Sequence, residues 1–217
     1  MFSTARSLLL AAFACTFVGA MAFTNATFAQ KAQGYKVGDA VADFSLKSTD
    51  GKSVAMADYP AAKGFIVVFT CNHCPFAKAY EQRILDLDKR FAAKGYPVIA
   101  INPNDPAVVD EDSPANMQAR AKEKGYTFPY LFDDGQKVFP RFGATKTPHV
   151  YVVSAKGKGD ARAYTVEYIG AIDDNSDEPK KATKHYVSDA VEALLAGKKV
   201  AITNTKAVGC GIKVASK

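Results

Sequence analysis

Residues 65–91 read FIVVFTCNHCPFAKAYEQRILDLDKRF, and the order of patterns in this stretch decides what kind of fold carries it. Phe65 to Phe69 is an unbroken apolar run rich in β-branched residues, the pattern of a strand buried on both faces. From Phe76 onward, Phe76, Tyr80, Ile84, Leu87 and Phe91 recur every three or four positions, which places them on one face of a helix. Cys71 and Cys74 lie between strand and helix, with His73 inside the pair and Pro75 behind it. Proline suits the first turn of a helix, where its missing N–H is not needed.

Outward from this stretch the same alternation continues. On the N-terminal side, Phe44-Ser45-Leu46 and Val54-Ala55-Met56 flank an Asp50-Gly51 step, which signals a hairpin. On the C-terminal side come a strand at 97–101, a loop of Asn, Pro and Asp, and a helix capped by Ser113-Pro114 and closed by Gly125. A brief strand at 130–132 and a short helix at 138–142 ending in Gly143 follow. Two more strands, 149–153 and 166–169, precede a last amphipathic helix from Tyr186 to Leu195, closed by Gly197. The order βαβα then ββα predicts one α/β domain with a mixed sheet and helices on both faces.

The first thirty residues belong to another class. Their only charge is Arg6, and Leu8 to Phe23 is uncharged and apolar. Small residues then fall at cleavage spacing, in Ala20-Met21-Ala22 and Thr27-Phe28-Ala29. This is the layout of a secretory signal over 1–29, cut after 22 or 29, with an uncleaved anchor as the alternative. The expected location is periplasmic or otherwise outside the cytoplasm. Loss of Cys15 with the signal leaves Cys71, Cys74 and Cys210, an odd number in a compartment where cysteines tend to pair.

The net charge of +6 does not signal nucleic acid. Lys198, Lys199, Lys206, Lys213 and Lys217 sit in an acid-free basic tail, 198–217, while residues 30–196 balance 22 basic against 22 acidic side chains. A neutral body with a basic tail excludes a nucleic-acid face, and membrane contact of that tail is weak at most.

The chemistry sits on the cysteines. Cys71 follows the strand and opens the helix, where free backbone N–H groups and the helix dipole favour thiolate over thiol. A protonated His73 adds a cation that lowers a thiol pKa. Thiolate is the form that attacks disulfides. Cys74, one helical turn further in, is placed to attack the mixed disulfide that Cys71 makes. Two alternatives stay open: a permanent structural disulfide, and a copper or zinc clamp formed by Cys71, Cys74, His73 and His149.

The strand, the C-x-x-C helix start and a later Thr147-Pro148 leading into a strand together resemble the thioredoxin superfamily. More closely, the run from about Val37 to Lys213 is similar to the exported redoxin, or AhpC/TSA-type, proteins through TCNHCPF (70–76), INPND (101–105), FPYLFD (128–133) and GCGIK (209–213). The resemblance implies a thioredoxin-like domain over 36–197: a central mixed sheet flanked by helices, with an N-terminal hairpin extension. It implies a thiol–disulfide oxidoreductase acting on protein disulfides, recycled by a redox partner. Cys71 and Cys74 are then the catalytic pair and His73 their tuner. Pro148 is cis beside them, and Thr147 offers its backbone to a substrate chain. No organic cofactor and no bound metal are implied, because the electrons travel through the thiols.

The sequence departs from the family in two ways. The peroxiredoxin pattern P-x-x-x-T-x-x-C is incomplete, with only Thr70 ahead of Cys71. The strand before the cysteines also lacks the buried acid usual in thioredoxins; Glu81 is a substitute by position but reads as a solvated helix residue. Thr70, His149 and Cys210 are accessory candidates, His149 as a wall of the site. Cys210 is a buried free thiol, a cap on Cys71 or an intermolecular partner. Thiol peroxidase and metallochaperone are the rival functions.

Overall fold

The computed structural model describes residues 34–157 and 159–215; the expected signal, 1–29, lies outside them. Strand β4, Gly64–Phe69, is buried at all six positions. The run can be this apolar because strands cover both of its edges and side chains pack against both of its faces. Val98–Asn102 pairs with it in parallel, and His149–Lys156 runs antiparallel along its other edge. In chain order the strands are β1 (Ala40–Val41), β2 (Ser45–Ser48), β3 (Ser53–Ala55), β4, β5 (Val98–Asn102), β6 (Tyr130–Phe132), β7 (Lys146–Thr147), β8 (His149–Lys156), β9 (Ala163–Gly170) and β10 (Cys210–Gly211). Eight of them form one mixed sheet in the order β1-β9-β8-β4-β5-β6-β2-β3, and β10 pairs with β7 separately. The predicted hairpin is β2–β3, turned at Gly51 with φ +84° and fastened to the β6 edge.

Alternation along the strands divides the core. Ile66, Val68, Val150 and Val152 face the helices α1 (Pro75–Phe91), α2 (Pro114–Lys124) and α4 (Tyr186–Leu195), meeting Tyr80, Ile84, Leu87, Phe91, Met117, Val187 and Val191. Each large side chain so enclosed stabilises the fold by about 1.5–3 kcal/mol. Phe65, Val67, Phe69 and Tyr151 face the opposite side, against Phe44, Met56 and Phe142 of the short helix α3 (Phe139–Phe142). The expectation of helices on both faces is therefore met unevenly. Three long helices share one face, while α3 and the segment from Tyr35 to Met56 cover the other.

Two details of α1 differ from the sequence reading. Its buried stripe is Ala77, Tyr80, Glu81, Ile84, Leu87, Asp88 and Phe91, whereas Phe76 is half-buried beside the cysteines. Glu81 is not a solvated residue: its carboxylate takes two hydrogen bonds from Arg120 and one from Tyr126. The spacing of apolar residues does not select it; partners 39 and 45 residues away draw it in.

The chain beyond α4 is built into the domain. Thr205 N–H donates to Ile169 O at 2.9 Å, and its hydroxyl accepts from Ala171 N–H at 3.0 Å. Lys213 N–H donates to Asn104 Oδ1 at 2.8 Å, and Lys213 O accepts from Asp105 N–H and Gln136 Nε2. Between these anchors the segment passes Thr147 as β10, with Cys210 opposite Thr147 and Gly211 opposite Lys146.

Candidate active site

The carboxyl ends of β4 and β5 deliver the site, as parallel α/β sheets commonly do. Cys71 lies two residues past β4 and is 3% exposed; Cys74 is fully enclosed. Cys74 is not one turn inside the helix, as the sequence suggested. It is the N-cap of α1, in extended conformation at φ −69° and ψ 125°, with Pro75 as the first helical residue. Both thiols are free.

One residue holds both sulfurs. Thr147, fully buried, has its Oγ1 3.1 Å from Cys71 Sγ, and its carbonyl oxygen accepts from the Cys74 thiol at 3.2 Å. The Thr147-Pro148 peptide is cis. The side chain and the backbone of a single residue thus span the pair.

On the other flank lies Asp112, whose place in the site the sequence reading missed. Its buried carboxylate accepts from Asn72 N–H at 2.6 Å, Asn102 Nδ2 at 3.2 Å and Asn104 Nδ2 at 2.8 Å, and lies 2.6 Å from His73 Nδ1. Buried carboxylates persist when they are paired and hydrogen-bonded in this way. Asn72 is held further by its amide donating to Glu111 O and accepting from Tyr130 OH. The Asn102 and Asn104 of the INPND loop therefore position the carboxylate that positions the Cys-x-His-Cys turn. The loop was visible in the sequence, but its connection to an acid 8–10 residues onward was not.

This geometry belongs to a recognisable group. The AhpC/TSA family model matches residues 37–161. The chain belongs to the AhpC/TSA family. Among solved structures, this AhpC/TSA protein is similar to an uncharacterized conserved protein from Geobacillus kaustophilus, with 32% identity, a TM-score of 0.74, and coverage of 84% of this chain and 94% of that one. It is 24% identical over 133 residues to thiol-disulfide oxidoreductase ResA of Geobacillus thermodenitrificans, covering 61% of this chain and 72% of the relative. It is also 25% identical over 120 residues to a Mycobacterium tuberculosis protein provisionally named a peroxiredoxin, covering 55% and 71%. The protein is a redoxin-type thiol oxidoreductase with a thioredoxin-like fold.

The electrostatics of this AhpC/TSA site differ from the simple expectation of a thiolate at Cys71. The two thiols ionise as an interacting pair, the first ionisation made easier and the second harder, with Cys74 favoured as the anion and Cys71 as the thiol. Cys74 is favoured as the anion first by the Cys71 thiol, then by Cys210 and by the N–H of Ala77 in the first turn of α1. Against a charge on Cys71 stand the same Cys74 hydrogen bond, burial and the carboxylate of Asp112, with the Thr147 hydroxyl working for it. His73 brings no uncompensated cation, because Asp112 lies against its ring. Thr147 can nevertheless stabilise the tautomer that attacks. Its carbonyl accepts only from a protonated Cys74, while its hydroxyl can donate to a Cys71 thiolate.

The accessory candidates separate. His149 points to the opposite face of the sheet, its ring 4.9 Å from that of Tyr151 and its Nδ1 accepting from Thr145 N–H. Burial holds its pKa down at about 4, so it is neutral. Thr70 is buried, with its N–H donating to Ile101 O in continuation of the sheet. Cys210 joins the cluster of Cys71, Cys74, Ala77 and Phe76. Its thiol is pushed up to about 11, by burial and then by the hydrogen bond and charge of Cys74. Of the four residues considered for a metal clamp, His149 is turned away. The group whose ligand atoms do lie within 4.8 Å of one another is Cys71, His73 and Asp112.

Proposed function

We propose that the protein is an exported thiol–disulfide oxidoreductase that acts on protein disulfides. Cys71 thiolate attacks one sulfur of the substrate disulfide, which breaks and releases a substrate thiolate. Cys74 then attacks Cys71 Sγ, giving the Cys71–Cys74 disulfide and a second substrate thiol. Two electrons and two protons have passed to the substrate, and a redox partner returns the pair to the dithiol. The observation that carries this reading is Thr147 in contact with both sulfurs, which supports a proton moving between them as attacker and resolver exchange roles. Export rests on the signal-like composition of residues 1–29.

In the insulin-reduction assay, Cys71→Ser is expected to lower turnover at least a hundredfold; equal turnover by wild type and variant overturns the proposal. Thiol peroxidase is the second reading, supported by the mycobacterial relative and by the hydroxyl beside Cys71. Rapid hydroperoxide consumption with a sulfenic acid at Cys71, and no insulin turnover, would favour it.

A further inference from the structure

The final described segment of the chain lies on the residue that governs the cysteines. Cys210 stands opposite Thr147 in the β10–β7 ladder. Gly209 sits so close to the Thr147-Pro148 peptide that a Cβ at this position would be 2.2 Å from Thr147 O and 3.1 Å from Pro148 N. A glycine is required for this approach. At Gly211 a Cβ would meet nothing within 4 Å, so the tight fit is local to the cis peptide. The segment is anchored beyond both ends of this contact, at Thr205 on Ile169 and Ala171 and at Lys213 on Asn104 and Asp105. The result of this anchoring is a thiol beside the active pair: Cys210 packs in one cluster with Cys71 and Cys74.

We propose that Cys210 is a third redox thiol of this site, exchanging with the Cys71–Cys74 disulfide to form Cys74–Cys210 and fastening the C-terminal strand across Thr147. The initial disulfide comes from the substrate disulfide of the proposed function, on which the inference rests. Cys210, as thiolate, attacks Cys74 Sγ; the Cys71–Cys74 bond breaks and the Cys74–Cys210 bond forms. Cys71 leaves as thiolate and takes up the proton that Cys210 gave up, so the exchange moves no electrons out of the protein. Burial keeps Cys210 mainly protonated at neutral pH, so it is a slow nucleophile, and the Cys71–Cys74 pair meets substrate first. The exchanged form is a closed one, since residues 209–211 are tied over the only residue that touches both sulfurs among the described hydrogen bonds.

The test uses the full chain oxidised with oxidised glutathione, quenched in acid, alkylated, digested and mapped by mass. Wild type is expected to yield a Cys74–Cys210 peptide beside the Cys71–Cys74 peptide. Cys71→Ser is expected to carry the Cys74–Cys210 link in most molecules, and adding Gly209→Ala to cut that yield at least tenfold. Recovery of Cys74 and Cys210 alkylated, separately glutathionylated or linked between molecules in the Cys71→Ser protein overturns the proposal. Should that variant not fold, absence of the link from wild type at every glutathione ratio overturns it equally. Insulin turnover measured on the same wild-type preparation separates the two readings. Turnover without the link sinks this inference alone, and the link without turnover sinks the proposed function instead.

Discussion

The two flanks of the cysteine pair are built by different means. On one side Asp112 collects the Asn72 N–H, the His73 ring and the amides of Asn102 and Asn104 inside a buried polar knot. On the other, Thr147 meets the sulfurs with its hydroxyl and carbonyl, and a two-residue strand from the chain's far end lies against it. The first flank is a network of short bonds to a charge that has no access to water. The second is a shallow backbone contact made possible by one glycine. A wall closed by many bonds and a second closed by one short strand leave the sulfurs enclosed, with Cys71 only 3% exposed.

The largest effect expected from breaking this contrast is at Asp112. Asp112→Ala leaves buried donors without an acceptor, and removing one partner of such a pair costs about 3–5 kcal/mol. Urea denaturation measures it: the midpoint should fall steeply. Asp112→Asn, which keeps one acceptor oxygen, should fall between the variant and wild type. A midpoint unchanged by Asp112→Ala would mean that the knot is not what fixes the Cys-x-His-Cys turn.

This flank also shows what the sequence could convey. The strand of residues 65–69, the cysteine pair and the helix behind them were legible because burial and amphipathicity are local patterns. Thr147 and Pro148 were legible only through the resemblance. Asp112 was hidden among the three acids of 110–112, where nothing in composition distinguishes the one that turns inward. Its selection depends on the loop between β5 and α2 folding back over the Cys-x-His-Cys turn, a tertiary event 39–40 residues from that turn. The same reasoning explains Glu81, whose ion pair with Arg120 is equally remote in sequence. His149 was misplaced for a simpler reason. It follows Pro148 directly, but strand alternation sends successive side chains to opposite faces, and His149 shares the face of Tyr151 and Phe69.

His149 gives a prediction of the next size, on the far side of Thr147. Its pKa, held near 4 by burial, stands below the ordinary value of 6.5. Between these values the unfolded chain binds a proton that the folded chain refuses, so stability falls as pH drops from about 6.5 to about 4 and then levels for this group. The loss is on the order of 3 kcal/mol. Denaturation midpoints at pH 7 and pH 4.5 in wild type and His149→Gln should converge in their pH dependence if another group is responsible, and diverge if His149 is.

Gly209→Ala should have the smallest effect on stability and the most selective effect on access. A methyl at 209 cannot coexist with Thr147 O at 2.2 Å, so β10 must lift. Little of the core depends on it, since Val208 is exposed and Cys210 only partly covered, and the expected cost is under about 1 kcal/mol. Thiol labelling by a small disulfide reagent under native conditions should nevertheless speed up at Cys71 by at least tenfold. Local opening of the strand, rather than global unfolding, then controls exposure of the sulfur. Asp112→Ala provides the contrast, because its labelling should accelerate only in proportion to its lost global stability. If the two variants label alike for equal stability, the flanks are not mechanically distinct, and the second wall is as fixed as the first.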